Sequence, residues 1–556
     1  MLSNYLSPLV LTFAAFRLVL ALALVAVGFV LWKRPRPAAA LAVLIAVQLV
    51  AAAAYLAPLE RPYAFSAGTD RAFNIGMAAC VTEGLSPFQH TQVGFGSPQP
   101  LWNLVVASLA LFRVENVALA YAALTPLALA AVALALFCGL RGEGVDAWER
   151  VFWVFSVFML SSFTMSRQPP APVFWMGNFL MKPNHGSALA LVALAAGLLA
   201  RPRVPAVRLG LVLGLLAWAS LMNWGYLVVG VFIYLWWYGE GPVRRGSLAG
   251  AFVLSALVAA PYVFHLAKGY SPLESHGAAR HMWNDLRGLP LAIPNWTTLD
   301  LGPLLTLAAV GGWIWYKRAR PTDRALAAVG LGAVVLWVLS IPAALIGVAP
   351  EPDELHYYVR FILAIAAGTA LAAAARHVES LRSWAPGRGA IAVMAFCLPM
   401  SFPLWWDPPT MDRYYTNAMM PFGPKMTAGA EWIRENTTPH TVFAAGPEAA
   451  TWIPALAGRQ VLLNEGGMLQ PPDHDARKAA QAILVGAEDA ALVREAAHKF
   501  GVTHVAIDAS LLEEYQVTNL HDLPRAPSAY RVAFQNSNVR IVVVEAVPAR
   551  AEGQRP

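Results

Sequence analysis

The chain has 556 residues, 58% of them hydrophobic and only 13% charged, with a net charge of +7 and a mean hydropathy of +0.51. A water-soluble chain is excluded, because apolar runs approaching the roughly 20 residues needed to cross a bilayer core recur along its length. The positive charge does not point to nucleic acid: it is concentrated in short loops between apolar runs, where Lys and Arg set membrane topology.

In chain order, apolar runs over about 8–32, 38–58, 117–139, 151–166, 186–200, 208–222, 223–238, 247–264, 300–316, 325–347, 358–375 and 389–403 predict a polytopic α-helical membrane protein with about twelve spans. The opening MLSNYLSPLV has no basic n-region, and no small-residue cleavage site precedes KRPRP, so the first run reads as a retained helix and not a signal peptide. Arg17, inside that run, is expected to be paired or to snorkel. The stretch 101–113 is too short to cross and is expected at the interface or half-inserted. The 208–238 run is too long for one span, and Asn223-Trp224-Gly225 offers a turn within it.

Charge orients the array. The loops 33–37, 141–150, 201–208, 239–246, 317–324 and 376–388 hold 17 Lys/Arg in 52 residues. The alternate segments 1–7, 59–100, 167–185, 265–299 and 348–357 hold 7 in 113. The first set is therefore expected in the cytoplasm, and the second outside together with both termini. The 19 Trp and 16 Tyr fit interface anchoring. Cys80, Cys138 and Cys397 form neither a disulfide framework nor a zinc spacing.

Past residue 403 the composition changes. Residues 404–556 alternate strand-like runs (441–445, 460–464, 503–508, YRVAFQ, VRIVVVEA) with amphipathic helices (428–436 and 489–500), which predicts a small extracytoplasmic α/β domain with a largely parallel sheet. No G-x-G-x-x-G opens its helices, and the tail 547–556 is expected to be disordered. No P-loop, G-x-S-x-G or Ser/His/Asp order is present, which leaves no basis for ATP hydrolysis.

Ionisable groups at membrane depth are costly, so each invites a reason. The outer loop 59–100 carries one aspartate, Asp70, beside Arg71 and upstream of His90. Asp70 suits a general base or metal ligand at the membrane surface, and equally a turn residue capping the helix that follows. Lys182 and His185 precede a helix, where they could hold a phosphate; the alternative is a snorkelling Lys182 with Asn184 capping the helix. Arg360 follows the outer loop 348–357; its planar fork suits phosphate oxygens, or pairing with Glu354 or Asp353. The loop 265–299 carries His276, His281, Trp283 and Asp285. It reads as a substrate cover or an ordinary solvated connection, and His276…His281 lacks the i, i+4 spacing of a helical metal pair. Arg71, His90, Asp285 and Glu354 complete the candidate substrate-facing set.

Three stretches carry a resemblance: the outer-loop Asp70 followed by RAFNIGMAACVTEGLSPF; the Pro-Leu segment SPQPLWNLVVASLALFRVENVALAYAALTPLALAAVALALF; and the tail segment AEWIRENTTPHTVFAAGPEAATWIPALAGRQVLL. Together they resemble the GT-C superfamily of polyprenyl-phosphate-sugar glycosyltransferases. The resemblance implies a polyprenyl-phosphate sugar donor and a lipid, glycan or protein acceptor. It implies Asp70 as base and Lys182, His185 and Arg360 as donor-phosphate ligands. A divalent cation remains open, since Asp70 stands without an adjacent Glu or a D-x-D. A transporter, or a non-catalytic envelope-assembly subunit, is the competing class. No internal repeat relates the two halves as carriers usually show.

Overall fold

The computed structural model describes residues 25–56, 70–94, 100–160, 183–238, 241–269, 302–345, 352–401, 424–464, 471 and 473–545. In chain order its helices are α1 (Pro37–Leu56), α2 (Asp70–Thr82), α3 (Pro100–Leu109), α4 (Val114–Leu134), α5 (Ala147–Phe155), α6 (Pro183–Leu199), α7 (Ala206–Ala219), α8 (Leu221–Tyr238), α9 (Gly241–Gly269), α10 (Gly302–Arg318), α11 (Pro321–Leu345), α12 (Pro352–Arg382), α13 (Arg388–Ser401) and α14 (Pro424–Asn436). The chain then forms β1 (Val442–Ala445), α15 (Ala449–Trp452), β2 (Gln460–Val461), α16 (His474–Gly486), α17 (Ala490–Phe500), β3 (Val502–Ile507), α18 (Ala509–Glu514), β4 (Tyr530–Gln535) and β5 (Arg540–Val544). Two compact units result. Met1–Pro58, Ala122–Val263 and Ala279–Tyr414 form the first; Leu59–Tyr121, Phe264–Ala278 and Tyr415–Pro556 form the second.

Among its described residues the regular elements of the first unit are all helices. Among the described residues, three stretches are long and apolar enough to cross a membrane: Arg245–His265, Pro321–Leu339 and Val359–Arg382. Shorter apolar helices such as Gly186–Leu199 and Ala206–Ala219 occupy other predicted spans. Contacts give the directions. Glu149 lies near Arg376 and Trp153 bonds Thr369, so α5 runs antiparallel to α12. Trp315 bonds the same Thr369, and a Cβ on Gly311 would sit 1.8 Å from the Ala366 carbonyl oxygen, so α10 runs parallel to α12. Gly210 approaches Ala251 and Trp218 donates to the Val258 carbonyl, so α7 and α9 run together. Gly225 faces Leu336 and Gly230 faces Val329, which makes α8 antiparallel to α11. The 208–238 run therefore breaks, but at Ser220, whose extended backbone ends α7. Asn223 instead lies in the first turn of α8, its Nδ2 donating to Ser220 Oγ at 2.8 Å.

Basic loops meet at one end of this unit. Glu149 and Asp323 are fully buried. Glu149 accepts from Arg318 (2.8 Å) and Arg320 (2.7 Å), Arg320 also pairs with Asp323 (2.8 Å), and Arg376 pairs with Asp146. Trp32 meets Trp384 edge-on at 5.0 Å, and Gly387 approaches both Pro35 and Trp148. Four of the loops assigned to the cytoplasm by charge, 33–37, 141–150, 317–324 and 376–388, are thus joined.

The second unit contains a five-stranded sheet of order β2-β1-β3-β5-β4. β1 is parallel to β2 and β3, whereas β3–β5 and β4–β5 are antiparallel. The largely parallel expectation fails at the last two strands for a simple reason. Only Asn536–Val539 separates β4 from β5, and a connection that short permits a hairpin but not a crossover. Val442, Ala444, Val505, Ile507 and Val542 face one layer, packed with Leu484 and Val485 of α16 and Val493 and Ala497 of α17. Phe443, Ala445, Ala506 and Ile541 alternate with them and are equally buried, as strand periodicity requires. Residues 101–113 form α3 and a sharp bend: α3 meets Val114–Tyr121 at 110°, with Leu111 and Phe112 exposed.

Candidate active site

Asp70 and Arg71 are the first two residues of α2, an end where the helix dipole favours a carboxylate; nothing is described of their side chains. The rest of α2 is firmly seated. Ile75, Met77, Ala78, Ala79 and Cys80 are at most 1% exposed, and burial pushes the Cys80 thiol up to about 12, which leaves it unreactive. Gly76 lets the helix lie on the π-turn Ile453–Ala457, since a Cβ there would meet Pro454 Cβ at 3.0 Å. Gly458, at φ +65°, comes so close that its Cβ would lie 2.7 Å from the Ala79 carbonyl oxygen.

Beyond α2 the loop is stitched to the sheet. Arg459 is buried and pairs with Glu83 at 2.6 Å. The Val93 N–H donates to the Val461 carbonyl (3.0 Å) and the Val461 N–H to the Thr91 carbonyl (2.8 Å), with Gln92 bridging Val461 in parallel. The loop thereby covers the β2 edge, an exposed pairing template in an open sheet. His90 is fully buried. Its ring packs on Phe73 at 4.5 Å, its Nδ1 accepts from the Gln92 N–H at 3.0 Å, and its carbonyl accepts from Gln460 Nε2 at 2.8 Å. Burial, reinforced by Arg477, lowers its pKa to about 3, so the imidazole is neutral at physiological pH and acts within the loop.

In the first unit, His185 lies in the first turn of α6, Glu354 in the first turn of α12 and Arg360 in its third. Arg360 is 2% exposed; the side chains of His185 and Glu354, and all of Lys182 and Asp285, lie outside the described residues, as do Arg17, His276 and His281. Arg376, at the other end of α12, belongs to the buried charge network. Arg360 precedes it by sixteen residues, about 24 Å along a helix. α6 shares this polarity, since its late residue Gly197 packs on Gly139, just before the loop that carries Asp146. The structure thus brings the starts of α6 and α12 to the end of the unit away from the charge network. Among the described residues no three His, Cys, Asp or Glu side chains are placed to hold a metal ion.

Sequence reasoning missed Glu83, Arg459, Glu149 and Asp323. A usable signal existed for the last two, acidic residues within otherwise basic short loops; Glu83 and Arg459 are 376 residues apart, and no local pattern links them.

No family model and no curated protein matches the sequence. Among solved structures, the chain resembles ArnT from Cupriavidus metallidurans in the apo state, with a TM-score of 0.50 and 11% identity over 90% of this chain and 97% of that one. The chain shares the fold of that structure. The Archaeoglobus fulgidus oligosaccharyltransferase is also similar: its apo form has a TM-score of 0.48 and 13% identity, covering 84% of this chain and 69% of that one. Its complex with Zn and sulfate gives 0.47 and 15%, over 87% and 71%. At an identity of 11% the likeness to ArnT speaks for the fold alone, and function must come from the site.

Proposed function

We propose that the chain is an integral-membrane glycosyltransferase of the GT-C type that moves a sugar from a polyprenyl-phosphate donor to an acceptor hydroxyl on the extracytoplasmic face. The observation that carries this reading is the ArnT-like fold across nearly the whole of both chains. The rigid seating of the helix that begins with Asp70 supports it. The chain spans the cell membrane about twelve times within 1–403, and the α/β region 404–556 lies outside with the loop 59–100. The joining of basic loops at one end of the helical unit supports that arrangement.

In the reaction the acceptor oxygen forms a bond to the anomeric carbon as the bond from that carbon to the phosphate oxygen breaks. The acceptor proton passes to Asp70, a role contributing on the order of 10²–10⁴-fold. The electron pair leaves with the polyprenyl phosphate, whose charge Arg360, Lys182 and His185 stabilise. Attack opposite the leaving group inverts the anomeric centre. Arg71, Asp285 and Glu354 are assigned to the acceptor, which is a lipid, glycan or protein, and His90 shapes the loop 59–100 from its buried position. The phosphate ester is itself the activated leaving group, so ATP is not required.

The test uses purified protein, a panel of polyprenyl-phosphate-linked hexoses and pentoses, and an envelope extract as acceptor. Release of polyprenyl phosphate is expected from wild type and is abolished in Asp70→Asn at unchanged yield and melting temperature. Wild-type turnover by Asp70→Asn removes the base from the scheme, and uptake into proteoliposomes without release replaces the enzyme by a carrier.

A further inference from the structure

We infer that Arg459 and Glu83 are positioning residues that make the C-terminal sheet part of the catalytic apparatus, by fixing the axis of the helix that presents Asp70. The inference rests on the role given to Asp70 above and adds how that residue is held.

Arg459 uses all five of its N–H donors. Nη1 donates to Glu83 Oε2 (2.6 Å) and the Ala457 carbonyl (2.9 Å), Nη2 to the carbonyls of Thr437 (3.0 Å) and Arg434 (3.3 Å), and Nε to Thr437 Oγ1 (3.0 Å). Four of those acceptors belong to the sheet domain itself, around the end of α14 and the turn before β2. The fifth, Glu83, is the residue immediately after α2. The guanidinium is 2% exposed and the Glu83 side chain 25%, so the pair is partly withdrawn from the screening that makes surface pairs worth little. A domain that needed only to fold would be served by the four internal acceptors; the Glu83 bond is what reaches across to the helix.

The helix is gripped at three places. One is Gly76 against Pro454, mid-helix; the second is the Ala79 carbonyl against Gly458; the third is Glu83 against Arg459, at the end. Asp70 lies six residues before the first grip and Glu83 seven residues after it, about 9 and 10 Å along the axis. Gly76 therefore acts as a fulcrum with nearly equal arms. Releasing the far end by about 1 Å swings Asp70 by about 1 Å the other way, and a misplacement of that size costs on the order of 10²-fold in rate.

The experiment measures single-turnover release of polyprenyl phosphate from the same donor panel by full-length Glu83→Gln, Arg459→Lys, Arg459→Ala and Glu83→Ala/Arg459→Ala. Burst amplitude reports the folded, competent fraction, and donor concentration dependence separates binding from chemistry. The expected result is a rate constant lowered about 10- to 100-fold with donor affinity within about twofold of wild type, and a double variant no slower than Arg459→Ala. Glu83→Gln keeps a hydrogen-bond acceptor at this point and is expected to fold even where Arg459→Ala does not, so the readout survives. Wild-type rate constants in the folded fraction of Glu83→Gln and Arg459→Lys, with only the amplitude reduced, overturn the inference and make the pair purely structural. Asp70→Asn, run alongside, keeps the two claims apart. Full activity there defeats the base assignment whatever the clamp does, whereas inactivity there with unaffected Glu83→Gln defeats the clamp alone.

Discussion

A histidine that folds into an interior must do so uncharged, and His90 illustrates the consequence. Its folded pKa of about 3, set by burial and then by Arg477, lies below the unfolded value of about 6.5. The unfolded chain thus binds a proton that the folded chain refuses. The resulting stability is fully present above pH 6.5 and is lost as pH falls toward 3, at up to about 1.4 kcal/mol per pH unit. His504, lowered to about 4 by burial and by Arg531, acts in the same direction. Glu448 and Asp508 oppose them: burial raises both, so each favours the folded state on the acid side and loses that contribution as pH rises through its raised value. We expect the histidines to dominate, with the hydrogen-exchange protection factors of the β1 and β3 amides falling between pH 6.5 and 4. His90→Asn retains an acceptor near Nδ1 and is expected to flatten that dependence; an unaltered slope in the variant contradicts the assignment. In the sequence, His90 reads as a substrate-facing residue of the outer loop 59–100. What buries it is Gln460 and Val461, some 370 residues later, a pairing that local periodicity does not register.

At the scale of elements, the buried network at the ends of α5, α10, α11 and α12 determines how the helices are registered. Arg320 is depressed by burial, yet its bonds to Asp323 and Glu149 raise it above its ordinary value overall. Just inside the network, Thr369 Oγ1 accepts from both Trp153 and Trp315 at 2.9 Å, tying α5, α10 and α12 together. Glu149→Gln leaves two guanidinium groups short of a carboxylate in a buried site, and removing one partner of such a group costs about 3–5 kcal/mol. A marked drop in the melting temperature of detergent-solubilised protein is expected, whereas Arg201→Gln, in an exposed loop, should stay within about 0.5 kcal/mol. Equal melting temperatures for the two variants reject a stabilising role for the network. The positive-inside pattern made these loops legible as a set, because it counts Lys and Arg. It is blind to Asp146, Glu149 and Asp323, the residues that join them. The break at Ser220 was legible as a need, from the excess length of the run, though not in its position; the hydroxyl side chain of Ser220 accepts from Asn223 and sets the turn three residues early.

For the whole molecule, the decisive constraint is internal to the second unit. Residues 83–93 share backbone hydrogen bonds and a half-buried ion pair with residues 459–461, so in the membrane arrangement proposed above the early loop and the C-terminal sheet belong to one side. The chain between residue 100 and residue 424 must therefore cross an even number of times. The apolar runs propose ten crossings in that interval, which satisfies the requirement, and they do so because length and hydropathy are additive along a chain while partner choice is not. The charge network joins loops 141–150, 317–324 and 376–388 at one end of the first unit. A labelling experiment follows. With Cys138, the exposed native thiol, replaced by Ser, a cysteine is placed at exposed Ser537 in the β4–β5 turn or at exposed Glu143 in the first network loop. Added to intact spheroplasts, a membrane-impermeant maleimide is expected to modify Ser537→Cys and to spare Glu143→Cys until the membrane is opened. The reverse pattern inverts the molecule, and it would place Asp70 in the cytoplasm, where the extracytoplasmic transfer proposed for it has no site. Modification of both from outside would mean that the basic loops and the sheet share a face, which an even count between residues 100 and 424 allows only if the loop 141–150 does not lie one crossing from residue 100. Labelling of Ser537→Cys alone leaves the positive-inside reading, the crossing parity and the outward sheet in agreement, because each fixes the same face by a different force: charge, chain continuity and backbone pairing.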